Sequence, residues 1–223
     1  MIETRGIAVS QENLAAAKMA VPRRLPRGGA LICLLGPDGS GRWTQAAALA
    51  ETLRAQGLDA VHTPARWDPH PLLARRLSSG GRSTLTSCRT RAWKSLVLLD
   101  HARQTLPKVG IPLLMGRTVV ADRYVYDTLV DLSLALGCAP DDLLSDFLLR
   151  LFPRPDLVIL LDLSPKTCAA RKGDETLEGA LAERRAQYLR LGGTLGTDPV
   201  DAELSPTQVH AEIRRRVWKR LGL

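Results

Sequence analysis

Residues 30–57 constrain the fold of this chain more than any other part of the sequence. The apolar run A-L-I-C-L-L at 30–35 predicts a buried parallel strand, and a helix-favouring run follows the glycine-rich segment after it. That segment, G-P-D-G-S-G-R-W-T at 36–44, places Gly36 and Gly41 at the spacing of the phosphate-binding pattern G-x-x-x-x-G-K-[ST]. Backbone N–H groups and a helix N-terminus attract anions together, so this block predicts a phosphate-binding loop in an α/β domain.

Two positions of the loop depart from that pattern. Arg42 stands where a lysine normally contacts the β- and γ-phosphates, and Trp43 stands where a hydroxyl normally holds Mg²⁺. Arg42 keeps the charge on a larger, planar group, whereas the indole of Trp43 can only donate a hydrogen bond. Thr44 could supply the hydroxyl if the helix began one residue later. Together with Gly39 and Ser40, the loop therefore predicts phosphate binding with an altered metal position.

A second candidate site follows another apolar run, in T-V-V-A-D-R-Y at 118–124. A strand here delivers Asp122 to its carboxyl end, where open α/β sheets bind their ligands. Asp122 can hold a metal-bound water or orient an attacking group, and Arg123 can clamp a phosphate. The alternative is an ion pair that only caps the strand.

The remaining pattern alternates short apolar runs with helical stretches, which predicts βαβ units and a mostly parallel sheet. Candidate strands occupy residues 30–35, 60–63, 118–121, 157–161 and about 195–200. Candidate helices occupy residues 44–56, 72–78, 87–106, 125–136, 140–151, 165–172, 175–191 and 206–220. Ser164-Pro165 and Ser205-Pro206 each place a capping hydroxyl before a proline at the first helical position.

Composition is consistent with one globular domain. The 223 residues, 45% of them hydrophobic, suit a single α/β domain at residues 30–223. No apolar run reaches the ~18 residues of a membrane span, and the first residues lack the order of a signal peptide. The four cysteines are scattered without a metal-binding spacing, which predicts reduced thiols in a cytoplasmic protein.

The basic character of the chain does not by itself predict a nucleic-acid partner. The formal charge is +8, but only 4% of the residues are aromatic, and base-stacking surfaces need aromatic side chains. A phosphate-rich small substrate or a solvated basic face explains the charge as well. Residues 1–29 are predicted to be an extension with a short helix and the basic linker P-R-R-L-P-R-G-G. This linker is either a solvated tether or an arm that docks an acidic partner.

Several blocks in their order resemble the thymidylate kinase family of nucleoside monophosphate kinases. The blocks are G-P-D-G-S-G, D-R-Y, P-D-L-V-I-L-L-D-L-S-P at 155–165, C-A-A-R at 168–171, the helical stretch 184–191 and V-D-A at 200–202. The resemblance covers most of residues 30–221. It implies a P-loop NTPase three-layer sandwich, with a five-stranded parallel sheet flanked by helices and a short helical lid. It also implies ATP, Mg²⁺, a nucleoside monophosphate or related acceptor, and a homodimer through the long helices.

The resemblance assigns roles to individual residues. Asp38 matches a loop carboxylate that contacts the acceptor sugar, although it could equally be a turn residue. Asp122 and Arg123 match an aspartate–arginine pair near Mg²⁺ and the acceptor phosphate, and Tyr124 completes that motif on the substrate side. Arg171 matches an arginine that packs on adenine.

The predicted lid carries further basic residues. Arg171, Lys172, Arg184 and Arg185 fall in or beside it, and each is either a neutraliser of transferred charge or a solvated charge.

Other segments depart from the family. The stretch T-P-A-R-W-D-P-H-P at 63–71 lacks the family's arginine-glutamate-proline-glycine signature, and Arg66 is the candidate replacement for its arginine. Asp127 and Asp131 stand where hydroxyl and amide groups are usual. Two functions therefore stay open, an active ATP-dependent kinase and a non-catalytic nucleotide-binding protein on the same fold.

Overall fold

The structure is a computed structural model and describes residues 29–68 and 87–222. Three predictions fall outside the described residues. They are the N-terminal helix, the basic linker that could dock an acidic partner, and the helix at 72–78. Within the described ranges, no helix is both long and apolar enough to traverse a lipid bilayer.

The described residues form a five-stranded parallel sheet with the order β2-β3-β1-β4-β5. The strands are β1 (Leu31–Leu35), β2 (Ala60–Pro64), β3 (Thr118–Asp122), β4 (Leu157–Asp162) and β5 (Pro199–Asp201). The register pairs Leu34 of β1 with Asp122 of β3, and Pro64 of β2 with the same Asp122. The carboxyl ends of β1, β2 and β3 therefore meet at one edge of the sheet, where the phosphate loop begins.

Helices cover both faces of the sheet. They are α1 (Arg42–Ala55), α2 (Ser87–Thr105), α3 (Ile111–Leu114), α4 (Val125–Leu136), α5 (Pro140–Leu143), α6 (Pro165–Lys172), α7 (Glu178–Leu195) and α8 (Pro206–Leu221). A π-helical turn (Leu106–Gly110) joins α2 to α3, and 3-10 turns occupy Phe147–Leu151 and Glu175–Leu177. The predicted α/β fold with a parallel sheet between helical layers is confirmed.

Alternate residues of β1 point into two separate cores. Leu31, Cys33 and Leu35 pack with side chains from α2, α4 and the end of α7. Ile32 and Leu34 pack with side chains from α1, α6 and α8. A strand buried on both faces needs apolar residues at every position, which explains the unbroken run that predicted it.

The ends of several predicted elements are wrong, among them the helix predicted at 175–191, which runs from Glu178 to Leu195, and three cases have clear local reasons. The helix predicted at 140–151 ends after Leu143, and a 3-10 turn follows because the Asp146 carboxylate accepts from the N–H of Leu148 (2.9 Å) and caps a new start. The strand predicted from residue 195 begins only at Pro199, since α7 continues to Leu195 and ends at the left-handed Gly196 (φ 67°).

The third boundary bears on the phosphate loop. The helix predicted from residue 44 begins at Arg42, directly after the left-handed Gly41 (φ 79°). Trp43 and Thr44 are therefore its second and third residues, and the later start that would bring Thr44 to the hydroxyl position does not occur. The helices predicted at 125–136 and 165–172 and both Ser-Pro caps are confirmed, the hydroxyls of Ser164 and Ser205 accepting from backbone N–H groups three residues on.

Candidate active site

The phosphate loop connects β1 to α1 through glycines that no other residue type would replace without strain. Gly36 (φ 143°), Gly39 (φ 85°) and Gly41 (φ 79°) all have positive φ. A Cβ at Gly36 would lie 2.3 Å from the carbonyl oxygen of Leu161, whereas one at Gly41 would meet nothing within 4 Å. The loop therefore passes directly over the end of β4 and leaves space on its outer side. This is the backbone geometry that a phosphate cradle requires.

Arg42 begins α1 with its guanidinium enclosed by carboxylates. It is only 6% exposed, and its Nη1 donates to Asp127 Oδ1 (2.8 Å) while Nη2 donates to Asp38 Oδ1 (3.1 Å). Asp127 Oδ1 also accepts from the hydroxyl of Tyr188 (2.7 Å), and Asp127 Oδ2 accepts from the N–H of Tyr124 (2.9 Å). Burial would lower the pKa of Arg42, but the surrounding carboxylates outweigh it and raise the pKa. The predicted phosphate contact of Arg42 stays a prediction, since this structure places its charge among acids.

Asp38 joins the loop to three cations. Besides Arg42, its carboxylate accepts from Arg123 and from Lys172 Nζ (3.1 Å). Partial burial would raise the pKa of Asp38, but Arg123, Lys172 and Arg42 together lower it to about 2. Arg123 reaches Asp38 from a left-handed backbone conformation (φ 65°), which is unusual outside glycine. The structure thus brings together four residues that the sequence placed in three separate segments.

Asp122 lies at the carboxyl end of β3 beside the loop. It is buried, and its Oδ1 has no hydrogen-bond partner among the described residues, with Arg42 Nε 4.0 Å away. Burial raises the pKa of Asp122, against the opposing effect of Arg42. The buried Ser40 hydroxyl in the loop likewise has no partner within the described part of the chain. An unsatisfied carboxylate oxygen next to a phosphate loop fits Mg²⁺, which is commonly held by one or two carboxylates together with substrate phosphates.

Trp43 does not add to that metal site. Its side chain is 61% exposed and packs edge-on against His62 of β2, with ring centroids 5.3 Å apart. Thr44 is also exposed, and no contact of its hydroxyl is seen among the described residues. The position that usually carries a hydroxyl ligand therefore carries an exposed indole, and Asp122 is the carboxylate that fits the metal.

The amino-terminal part of the loop rests on α6. Arg171 Nη1 donates to the carbonyl of Gly39 (2.7 Å), and the Cys168 thiol donates to the carbonyl of Asp38 (2.6 Å). A Cβ at Gly39 would lie 3.8 Å from both Arg171 Cβ and Cys168 Sγ. Arg171 and Lys172 therefore stand beside the loop, and their predicted roles at the lid stay predictions.

A pocket of about 520 Å³ opens beside the loop. Its lining combines three arginines, three aspartates and an apolar end: Asp38, Arg66, Trp67, Arg123, Asp127, Thr128, Asp131, Leu134, Ala135 and Arg184. Arg66 lies in this lining, and its predicted contact with the substrate stays a prediction. Tyr124 does not line it, because its ring is fully buried in the core and its hydroxyl donates to the carbonyl of Pro153 (2.7 Å). The predicted substrate contact of Tyr124 is therefore not supported by its position.

Comparison with known proteins decides the family. A family model described as Thymidylate kinase matches residues 35–213. The chain belongs to the thymidylate kinase family. A probable thymidylate kinase of Pyrococcus abyssi is 30% identical over 201 residues, which is 83% of this chain and 94% of that protein. A thymidylate kinase of Ruegeria pomeroyi is 33% identical over 170 residues (74% of this chain, 79% of that protein), and a probable thymidylate kinase of Thermococcus onnurineus is 34% identical over 145 residues (63% and 69%).

Membership of the thymidylate kinase family supports a nucleotide-kinase function. These relatives give no support to the alternative of a non-catalytic nucleotide-binding protein. The family normally uses ATP and Mg²⁺. The unpartnered oxygen of Asp122 and the open glycine loop are the features of this chain that fit both.

Two basic residues of the predicted lid have different surroundings. Arg184 lines the pocket and pairs with Asp131 (2.7 Å). Arg185 instead makes two hydrogen bonds to Asp162 at the end of β4 (2.6 and 2.7 Å) and does not line the pocket. Arg185 is therefore held in an ion pair with Asp162, which is neither of the two roles that the sequence left open for it.

Sequence reasoning missed the acidic side of this site. Asp127 was noted only as a departure from the thymidylate kinase family, yet its two oxygens accept from Arg42, Tyr188 and Tyr124. A signal for it was available, because an acid three residues after a helix cap commonly bonds back to the cap N–H. The contact of Asp127 with Arg42 had no local signal.

Proposed function

We propose that this member of the thymidylate kinase family transfers a phosphoryl group from ATP to a nucleoside monophosphate or a related small acceptor. One observation carries the proposal, namely that Asp38 belongs both to the phosphate loop and to the lining of the 520 Å³ pocket. A donor held in the loop and an acceptor held in the pocket would meet at this side chain. Phosphoryl transfer depends mainly on such positioning and on electrostatic stabilisation.

The loop side of the site would hold the donor. Backbone N–H groups of the glycine loop and the N-terminus of α1 would bind its phosphates, and Asp122 Oδ1 would hold Mg²⁺. When bound, the metal neutralises charge on the phosphate oxygens. Arg171, which already lies against Gly39, would contact the adenine.

The pocket side would hold the acceptor phosphate. Arg66 is exposed, lines the pocket and has no ion pair among the described residues, whereas Arg123 is paired with Asp38 and Arg184 with Asp131. We therefore infer that Arg66 makes the first contact with the acceptor phosphate. Arg123 and Lys172 both bind Asp38 at the junction of loop and pocket, and they would neutralise the transferred charge.

Calorimetric titration and a phosphotransfer assay test the kinase proposal together. The purified chain is titrated with ATP and Mg²⁺, then assayed for nucleoside diphosphate formation from a panel of nucleoside monophosphates. We expect ATP binding and turnover, both weakened by Asp122→Asn when Mg²⁺ is present. Asp59→Asn is the matched control, because Asp59 is an exposed carboxylate that pairs with Arg117 outside the site. Absence of ATP affinity at millimolar concentrations would refute the proposal.

We also propose that the chain forms a homodimer through an apolar surface at α2. The surface is defined by Leu96 and Leu99 of α2 and by Phe147 and Leu151 of the neighbouring 3-10 turn, all of them exposed. An ion pair between Lys94 and Asp146 (2.7 Å) holds the two elements side by side. Exposed apolar residues that adjoin in this way are typical of a protein interface. A second copy of the chain would cover them on both subunits at once.

A further inference from the structure

The segment that carries Arg66 has no regular secondary structure, yet its backbone is fixed on both sides of that residue. This Arg66 segment follows β2 and covers residues 65–68. We propose that three side chains of α2 hold it so that Arg66 is ordered in the pocket before an acceptor phosphate binds. These positioning residues are Asp100, His101 and Gln104, and none of the three lines the pocket. The inference rests on the proposed kinase function and extends it to α2.

His101 fixes the beginning of the Arg66 segment through the backbone of Ala65. Its Nε2 lies 3.1 Å from the carbonyl oxygen of Ala65, which can only accept, so Nε2 carries the proton. Burial lowers the pKa of His101 to about 4, so the ring is neutral at neutral pH and its Nδ1 accepts from the Thr128 hydroxyl (2.9 Å). The N–H of Ala65 donates to the carbonyl of Asp122 (3.0 Å). Both backbone polar groups of Ala65 are therefore bonded, one to α2 and one to β3.

Gln104 fixes the end of the Arg66 segment through the backbone of Asp68. Its Oε1 accepts from the N–H of Asp68 (3.1 Å), and its Nε2 donates to the carbonyl of the same residue (2.8 Å). One side-chain amide thus exchanges two hydrogen bonds with one residue, as a neighbouring strand does in a sheet. Nε2 also donates to Asp100 Oδ2 (3.0 Å), which holds the amide in this orientation.

Asp100 anchors the residue directly after Arg66. Its Oδ2 accepts from the indole Nε1 of Trp67 (2.9 Å) as well as from Gln104, and its Oδ1 accepts from Arg103 (3.0 Å). The indole is only 7% exposed and packs in the core, so this bond fixes both the position and the orientation of the ring. Arg66 therefore lies between residues that are held by backbone and side-chain contacts.

Arg66 itself is the member of the segment that is open to a ligand. Its side chain is exposed and lines the pocket, without an ion pair among the described residues. The other two arginines of the lining are held by carboxylates, Arg123 by Asp38 and Arg184 by Asp131. Arg66 thus depends on its backbone for its place in the pocket. A segment that became ordered only on binding would lower the affinity, because the lost conformational freedom opposes the phosphate contact.

A double-mutant cycle on the full chain tests whether Gln104 acts through Arg66. Gln104→Leu removes the bonds to Asp68 without changing a pocket residue, and Arg66→Ala removes the guanidinium. Calorimetric titration measures the dissociation constant of dTMP for each chain. We expect Gln104→Leu to raise it about five-fold when Arg66 is present and not at all when Arg66 is absent, since coupled residues are not additive. An unchanged affinity in Gln104→Leu, or the same loss in both backgrounds, would overturn the inference.

Thymidine, which lacks the phosphate, gives a second readout that a merely structural role would not produce. Gln104→Leu should weaken the binding of dTMP but not that of thymidine, because the expected partner of Arg66 is the phosphate. Gln208→Leu is the matched control. Its Oε1 also accepts from a backbone N–H (Ser205, 3.1 Å), but that bond caps α8 outside the pocket, so both affinities should stay unchanged. Equal weakening of the two ligands by Gln104→Leu would contradict the positioning role.

A pair of substitutions at His101 tests the other end of the segment. His101→Gln keeps a donor for the Ala65 carbonyl and an acceptor for the Thr128 hydroxyl, and should retain the affinity for dTMP. His101→Leu removes both, and should raise the dissociation constant about five-fold or more. Equal losses in the two variants would contradict the role of His101. If His101→Leu does not fold, the cycle of Gln104 and Arg66 decides alone.

A parallel phosphotransfer assay separates this inference from the proposed function. A chain that binds dTMP with the expected coupling but never transfers a phosphoryl group refutes the kinase and leaves the positioning role standing. Turnover together with an effect of Gln104→Leu that persists without Arg66 does the reverse. If the wild-type chain does not bind dTMP at millimolar concentrations, the inference is overturned, whereas the kinase proposal is still judged on ATP and the other acceptors.

Discussion

At the scale of single residues, Arg42 departs from the phosphate-loop motif, and carboxylates from other parts of the site neutralise its charge. A phosphate loop normally presents a lysine at this position, and the guanidinium here is instead bound by Asp127 and Asp38. The guanidinium of Arg42 and the carboxylate of Asp127 therefore form one buried ion pair inside the site.

The pairing predicts a large loss of stability in Arg42→Met. The substitution removes the cation and leaves the buried Asp127 carboxylate without its charged partner, which costs about 3–5 kcal/mol. Urea unfolding followed by circular dichroism measures the change. Arg117→Met is the control, because Arg117 pairs with the exposed Asp59 and its loss should cost less than about 1 kcal/mol. Equal effects of the two substitutions would contradict a structural role for the Arg42 pair.

The buried His101 predicts a pH dependence of stability. Its pKa falls from 6.5 to about 4 because it is buried, despite the raising effects of the Ala65 carbonyl, Asp127 and Asp100, while Lys108 lowers it further. The unfolded chain therefore binds a proton near pH 6.5 that the folded chain does not. The contribution of His101 to the free energy of unfolding is fully present above pH 6.5. It is lost as the pH falls towards 4, by about 3 kcal/mol in total.

Chemical denaturation between pH 7 and pH 4 measures this loss. In His101→Gln, whose amide can replace both ring contacts without titrating, the unfolding free energy should change less across that window. If the variant keeps the full pH dependence of the wild type, another group is responsible. His210→Gln is a suitable second variant, since His210 is less buried and bonds Gln45 and Thr52 between α1 and α8.

At this scale the sequence predicts some features well and others not at all. The glycines of the loop and Asp122 could be located because each follows directly from a strand and a local spacing. The partners of Arg42 and Asp38 could not, since Asp127 and Lys172 are 85 and 134 residues away in the chain. Whether a charged side chain faces a ligand or another charge is decided by such distant contacts.

At the scale of elements, the connection from β1 to α1 depends on the close approach of its backbone to β4. Gly36→Ala places a Cβ 2.3 Å from the carbonyl of Leu161, and neither backbone segment can yield without disturbing the sheet. We expect a loss of about 3 kcal/mol or more in unfolding free energy, together with loss of nucleotide affinity.

Gly57→Ala separates backbone strain from this clash. Gly57 also has positive φ (84°), but a Cβ there meets nothing within 4 Å. Gly57→Ala should lower the unfolding free energy by only about 1–2 kcal/mol, because of the left-handed conformation, and should leave nucleotide affinity intact. Thermal unfolding and calorimetric titration of both variants measure the difference. Similar losses of affinity would show that the contact with Leu161 does not set the shape of the loop.

Elements themselves were predictable where one periodicity ran uninterrupted. The helices at 125–136 and 165–172 match because caps mark both of their ends. The prediction of one helix at 140–151 was wrong because Asp146 caps a separate 3-10 turn inside an otherwise helical pattern. Predicted boundaries were therefore least accurate where a side chain competes with the helix for backbone hydrogen bonds.

At the scale of the whole molecule, the apolar surface at α2 predicts a dimer that a single charge should disrupt. Leu99→Glu would bring two carboxylates together across a twofold axis, and we expect the dissociation constant to rise at least about ten-fold. Sedimentation velocity over a range of concentrations measures it. Leu204→Glu is the matched control, because Leu204 is similarly exposed (43% against 47%) but lies between β5 and α8. A monomeric wild type would contradict the proposal.

The order of the strands has a consequence for how the chain is made. Among the described strands, β1 is the first to be synthesised. Its neighbours in the sheet come much later in the chain, because Leu31 pairs with Val119 of β3 and Ile32 pairs with Leu157 of β4. At normal rates of translation that wait is on the order of 5–25 seconds, during which five apolar residues have no sheet to join. Chains stalled on the ribosome before residue 118 should be cut readily by proteases at β1, and chains released at full length should resist. The strand that carries the phosphate loop thus stays without a paired strand until the second half of the protein has emerged.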